Sequence, residues 1–260
     1  MKKAIEIKDL TVTYHQKPVL WNVGFSMDEG KLAGIIGPNG SGKTTLLKSM
    51  MGLVEPDSGS INLFENDLDL VRHRIAYVPQ RESVDWDFPI SVQEVVSMGR
   101  YSKGNLLGRL SKKDQHYTLE ALEKVKMLEF KDRQISQLSG GQQQRVFIAR
   151  ALAQHADLYI LDEPFAGVDA ASEAAKFELL SQMKEDGKTV VVVHHDLQSA
   201  AKFFEFIIML NTRLVAAGPS EEVFNESNLE KTYGGQLNIL NSIGEQLKKK
   251  AFPIREKEKE

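Results

Sequence analysis

The octet Gly37-Pro38-Asn39-Gly40-Ser41-Gly42-Lys43-Thr44 lies between an apolar run, Leu32 to Ile36, and a segment in which Leu46, Leu47, Met50 and Met51 recur at helical spacing. This G-x-x-x-x-G-K-[ST] pattern works only where a buried strand runs out into a helix, and that context is present. The glycines let successive backbone N–H groups converge on phosphate oxygens. The helix start adds the positive end of its dipole, and Lys43 brings a cation to the β and γ phosphates of a nucleotide. Thr44 is placed to ligate Mg²⁺, with Thr45 beside it in the same turn. The chain must therefore supply a sheet to carry the loop and acids to complete it.

Both are legible. Leu158-Tyr159-Ile160-Leu161-Asp162-Glu163 is an apolar strand ending in two carboxylates, whose side chains should point apart: Asp162 toward the Mg²⁺ shell, Glu163 toward an attacking water. Further strands are expected at Thr189 to Val193 and Phe206 to Leu210, apolar enough for burial on both faces, as parallel strands are. The first thirty residues read as short strands, Ala4 to Ile7, Leu10 to Tyr14 and Val19 to Met27, then a turn at Asp28-Glu29-Gly30. Another strand, Ser60 to Phe64, follows the turn Pro56-Asp57-Ser58-Gly59. From about 90 to 153 the pattern turns helical. Ser91 and Glu94 have capping-box spacing, Leu119, Leu122, Val125 and Leu128 mark one amphipathic helix, and Val146, Ala149 and Leu152 mark another. The whole is an α/β core interrupted by a helical insertion.

Leu138-Ser139-Gly140-Gly141-Gln142 discriminates among nucleotide hydrolases. It is a second glycine-rich turn opening a second helix, with Ser139 and Gln142 at capping-box spacing, and hence a second anion site. A P-loop kinase or GTPase leaves this turn unexplained. With it in place, the chain from about residue 4 to 235 resembles the ATP-binding subunits of ABC transporters, whose motifs it carries in order. The resemblance implies a P-loop NTPase core of ABC type with an N-terminal antiparallel β subdomain and a helical subdomain inserted at about 82–153. Residues 1–235 form the nucleotide-binding domain, and 236–260 form a charged tail.

The same resemblance implies roles. Tyr14 stacks on adenine, Gln80 senses Mg²⁺ and the attacking water, and residues 164–169 link two active sites. His195 contacts the γ-phosphate and His194 takes the usual threonine position. Two copies face each other head to tail, each ATP held by one copy's phosphate loop and by Ser139, Gly140, Gly141 and Gln142 of the other. Glu163 is the general base, with Lys43 and His195 stabilising charge. Since neighbours on a strand face opposite ways, His194 and His195 are poorly placed to share one metal ion.

Val84-Asp85-Trp86-Asp87-Phe88 follows Tyr77-Val78-Pro79-Gln80, read as a turn. Its alternation predicts an extended strip with Val84, Trp86 and Phe88 on one face and Asp85 and Asp87 on the other. In the family this region receives a helix of the permease, so Asp85, Trp86, Asp87 and Phe88 are expected as the coupling surface. The string Tyr77 to Pro89, with Gln134 to Ser139 and Val193 to Leu197, is similar to importers of manganese, zinc or iron(II), most of all manganese; zinc, iron(II) or an iron chelate is the alternative cargo for the same engine. An extracytoplasmic binding protein is then an indirect partner, and the cytoplasmic face of the bacterial membrane the location. Composition agrees. The 260 residues are 42% hydrophobic, lack cysteine, and carry a net charge of −3, which disfavours nucleic acid as a partner. Neither a signal peptide nor a run of about 20 apolar residues is read in the chain. A soluble ABC ATPase acting on ribosomes or DNA is the alternative from another class; such chains usually carry two cassettes, and this one has one phosphate loop and one signature turn.

Overall fold

A computed structural model describes residues 2–101, 110–164 and 170–234, with backbone only for 170–176. The expected core is present. Nine strands are described: β1 (Lys3–Tyr14), β2 (Lys17–Asp28), β3 (Leu32–Ile36), β4 (Ser58–Leu63), β5 (Ile75–Val78), β6 (Leu158–Asp162), β7 (Thr189–Val193), β8 (Phe206–Asn211) and β9 (Arg213–Pro219). They form an antiparallel sheet in the order β2-β1-β4 and a larger sheet in the order β5-β6-β7-β3-β8-β9, parallel except for β9.

The larger sheet sorts its side chains with the two-residue period of a strand. Ala33 and Ile35 of β3, with Val191 and Val193 of β7, join a core shared with β1, β2 and the helix α1 (Lys43–Met50). Leu32 and Ile36, with Val190 and Val192, face the opposite core, built with the inserted helices. All residues of β3, β6 and β7 are buried, which is why they read as continuous apolar runs.

The remaining helices are α2 (Leu68–Val71), α3 (Val92–Ser97), α4 (Lys112–Lys124), α5 (Gly140–Ala153), α6 (Ala170–Glu185), α7 (Leu197–Phe203), α8 (Ser220–Val223) and α9 (Glu226–Tyr233). Three of them open with reciprocal capping boxes: Ser91 with Glu94 on α3, Ser111 with Asp114 on α4, and Ser139 with Gln142 on α5. None of the described helices is long and apolar enough to cross a membrane.

Several expectations need correction. β1 is one strand, with an irregularity between Ile7 and Leu10 where Asp9 takes a φ of 51°. Tyr77 and Val78 belong to β5; only Pro79, which has no N–H to give a ladder, ends it. The edge strand β9 is additional. The helix marked by Leu119 and Leu122 stops before Leu128, because Lys126 adopts a φ of 58° and Leu128 begins a separate 3-10 turn.

The acidic strip is not evenly two-faced. The Asp85 carboxylate accepts the Asp87 N–H at 3.1 Å, a local turn that breaks the alternation. Val84 and Trp86 pack on the core of the insertion, whereas Phe88 is 59% exposed. Residues 165–169 and the tail 236–260 lie outside the described residues.

Within the insertion, the turn that follows α3 packs closely on α5 at Gly99, where a Cβ would fall 2.2 Å from the Arg150 carbonyl oxygen. Backbone cannot yield as a side-chain tip can. Gly99→Ala should therefore destabilise the chain by about 1–3 kcal/mol, read as a lowered urea midpoint at unchanged slope.

Candidate functional site

The carboxyl ends of the parallel strands deliver the chemistry to one edge. Register fixes the grouping: Val193 lies opposite Ile35 on one side and Asp162 on the other, and Val78 lies opposite Leu161. Gly37, Gln80, Glu163 and His194 follow these four strand ends within a residue or two.

Gly37 is required by crowding, since a Cβ there would fall 2.0 Å from the Leu210 carbonyl oxygen. Gly42, at φ 98°, is the N-cap of α1, and a Cβ would lie 2.7 Å from the Val19 carbonyl. The loop is thus gripped by β2 and β8. The turn after β8 adds a third hold, with the Thr212 N–H donating to the Ser41 carbonyl at 2.9 Å and the Trp21 N–H donating to the Thr212 carbonyl at 2.8 Å. Thr212 was not foreseen in the sequence.

Inside the loop, Lys43 is buried and folds back, its Nζ donating to the carbonyls of Gly37 at 2.8 Å and Pro38 at 3.0 Å. Burial lowers its pKa, opposed by the charges of Glu163 and Asp162. The Thr44 hydroxyl donates to Asp162 Oδ1 at 3.4 Å. Among the described residues, neither the buried Asp162 Oδ2 nor the buried Ser41 hydroxyl has a hydrogen-bond partner. Burial raises the Asp162 pKa, the Thr44 hydrogen bond opposes this, and the nearby Glu163 adds to it. A buried carboxylate with an oxygen left unpaired is chemically suited to ligate a cation.

Glu163 lies just past the end of β6 with φ 47°, rare for a residue other than glycine. The Gln80 amide donates to its Oε2 at 3.4 Å. Lys43, Thr44, Asp162, Glu163 and Gln80 are thereby brought together. Pro38, Asn39 and Gly40 form the outer rim of the loop, and Thr45 is half-buried on α1. Tyr14 is 43% exposed at the far end of β1.

After β7 the two histidines part company. His194 is buried against Phe177 and Phe204, its Nε2 2.6 Å from the Ser199 hydroxyl, whereas His195 is exposed. Burial holds the His194 pKa at about 4, assisted by His195 and opposed by Asp196. Ser139, Gly140, Gly141 and Gln142 sit at the start of α5; no hydrogen bond among the described residues joins them to the phosphate loop.

A strand-borne phosphate loop, a buried acid, a strained acid beside a glutamine, and a second glycine turn on an inserted helical subdomain define an ATP-binding cassette. Residues 20–166 match the ABC transporter family. The chain belongs to that family and is an ATP-hydrolysing subunit. It is 57% identical over 236 residues to a manganese transport system ATP-binding protein of Bacillus subtilis, covering 91% of this chain and 94% of that one. It is 51% identical to a zinc transport system ATP-binding protein of Treponema pallidum, covering 90% and 88%. Among solved structures, a metal-chelate type ABC transporter in an inward-facing conformation matches with TM-score 0.79 at 27% identity, covering 89% of each chain. A dimeric cassette in a post-hydrolysis state with ADP and Pi matches with TM-score 0.71 at 31% identity, covering 83% and 98%.

The buried His194 makes stability depend on pH. Its folded pKa of about 4 lies below the 6.5 of the free side chain, so between these values the unfolded chain binds the extra proton. Stability is therefore full above about 6.5 and falls by about 3 kcal/mol on acidification toward 4. His194→Thr should flatten this acid limb relative to the parent, measured as urea unfolding free energy against pH.

Proposed function

We propose that this chain energises the import of manganese(II) through a membrane permease, with zinc(II) as the second reading. The similarity of nearly the whole chain to a manganese transport ATP-binding protein carries the first. A zinc transport protein at 51% identity supports the second. The transported ion would be captured by an extracytoplasmic binding protein and need not touch this chain, which would sit on the cytoplasmic side of the permease.

The hydrolytic cycle follows from the site. ATP enters with its adenine on Tyr14 and its phosphates in the loop from Gly37 to Thr45. Lys43 gives up its two carbonyl contacts for the β and γ phosphates. Thr44, Asp162 and Gln80 would hold Mg²⁺. The buried, unpartnered oxygen of Asp162 fits that role, and the ion would neutralise charge on the phosphates. Glu163 would accept the proton of the attacking water, and Gln80, whose amide bonds the same carboxylate, would orient that water. His195 contacts the γ-phosphate.

A second copy of the chain completes the site. Its Ser139, Gly140, Gly141 and Gln142 close on the γ-phosphate, so ATP holds the dimer shut and hydrolysis releases it. The separate placement of the two half-sites and the dimeric state of a related cassette support this arrangement.

The coupling surface is read more narrowly than the sequence suggests. Phe88, with Asp85 and Asp87 exposed on either side of Trp86, would meet the permease, while Trp86 supports them from behind. Large exposed aromatics make strong anchors.

Glu163→Gln in the source cell, grown in metal-poor medium, should lower cellular manganese selectively, as measured by elemental mass spectrometry. A selective fall in zinc would favour the second reading, and unchanged levels of both, with the protein present and no redundant importer, would remove metal import. Phe88→Ala should leave the unfolding midpoint within about 0.5 kcal/mol of the parent yet lower metal uptake at least severalfold.

A further inference from the structure

The segment carrying Gln80 is fastened to the helix that carries the signature turn, within one chain. Arg81 donates from Nε at 3.3 Å and from Nη2 at 3.1 Å to the amide oxygen of Gln143, one turn into α5. Gln143 is 4% exposed and anchored in turn, its amide nitrogen donating to the Ile135 carbonyl at 3.2 Å. The guanidinium also packs against Gly140, where a Cβ would lie 3.0 Å from its Cζ. A second attachment runs through Trp86, whose indole N–H donates to the Arg81 carbonyl at 2.8 Å and whose ring packs on Phe147 of α5 at 4.9 Å between centroids.

What lies between Gln80 and these attachments is stiff. Arg81–Ser83 is a 3-10 turn, and the Gln80 carbonyl accepts both the Ser83 N–H at 3.1 Å and the Ser83 hydroxyl at 2.7 Å. A shift of Arg81 must therefore carry Gln80 with it. At its other end Gln80 touches Glu163, and Gly140 belongs to the turn read as closing on the second copy's nucleotide.

We propose that Arg81 is a positioning residue that ties the Gln80 segment to the start of α5, so that the glutamine at one ATP and the Ser139 to Gly141 turn at the other move as one body. This rests on the hydrolytic reading above and adds a residue to it. Neither Arg81 nor Gln143 needs to touch nucleotide.

The test is a double-variant cycle on ATP hydrolysis by the full-length chain. Arg81→Ala and Gln143→Leu should each lower kcat by about tenfold, and the double variant should fall no further than the worse single one. ATP affinity, measured by equilibrium binding without Mg²⁺ so that no turnover occurs, should stay within about twofold of the parent, because the phosphate loop is untouched. Arg81→Lys, which keeps the charge and one donor, should recover part of kcat. If Arg81→Ala does not fold, Arg81→Lys with Gln143→Leu carries the same cycle. Unchanged kcat, multiplying losses in the double variant, or an equal loss of ATP affinity would each overturn the tether. Glu163→Gln measured alongside scores the underlying reading by itself, since it should stop turnover whichever way the Arg81 variants fall.

Discussion

The pairing of β7 with β3 on one side and β6 on the other sets the whole chemical edge of the molecule. Val193 faces Ile35 and Asp162 across the two ladders, so the phosphate loop, the buried acid and the histidine pair all leave the sheet at one level. A one-residue slip would turn the alternate side chains of β7 into the wrong core and withdraw Asp162 from Thr44. Strand register, held by the ladders on both sides of β7, thus fixes the distance between a hydroxyl and a carboxylate.

The electrostatics of the edge are deliberately incomplete. Among the described residues, Lys43 bonds carbonyl oxygens of its own loop alone, and Asp162 keeps one buried oxygen without a donor. Both groups have their charged forms disfavoured by burial. A triphosphate with its divalent ion would supply an anion to the first and a cation to the second. Selectivity for such a ligand follows from desolvation already incurred on folding, so little reorganisation is needed when it arrives.

Much of this was readable from residue order. The bounds of β3 and β7 and the start of α1 follow from continuous apolar runs and from a glycine loop with only one structural context. The acids and Gln80 were found through the motifs they belong to, and the structure gathers them. What escaped has physical reasons. Pro79 and Gln80 disguised the end of β5 as a turn, and Lys126 ended α4 by taking a left-handed backbone that composition does not announce. Trp86 and Phe88 look equivalent in sequence; a hydrogen bond from Asp87 N–H to Asp85 and the indole bond to the Arg81 carbonyl separate them. Arg81 carries no motif, and its partner Gln143 lies 62 positions away.

The three capping boxes differ in one atom type, and the difference sorts the helices by electrical role. On α3 and α4 the returning side chain is a carboxylate, Glu94 or Asp114, held ionised by the serine it bonds. Each places a full negative charge on the positive end of its helix and cancels it. On α5 the returning side chain is the neutral amide of Gln142, whose oxygen accepts the Ser139 N–H at 2.9 Å. The helix start is shaped as firmly as the others but left electrically open. Exchanging that amide for a carboxylate would preserve the fold of the turn and make it repel phosphate, so a single nitrogen in place of oxygen separates an inert helix end from one able to welcome an anion.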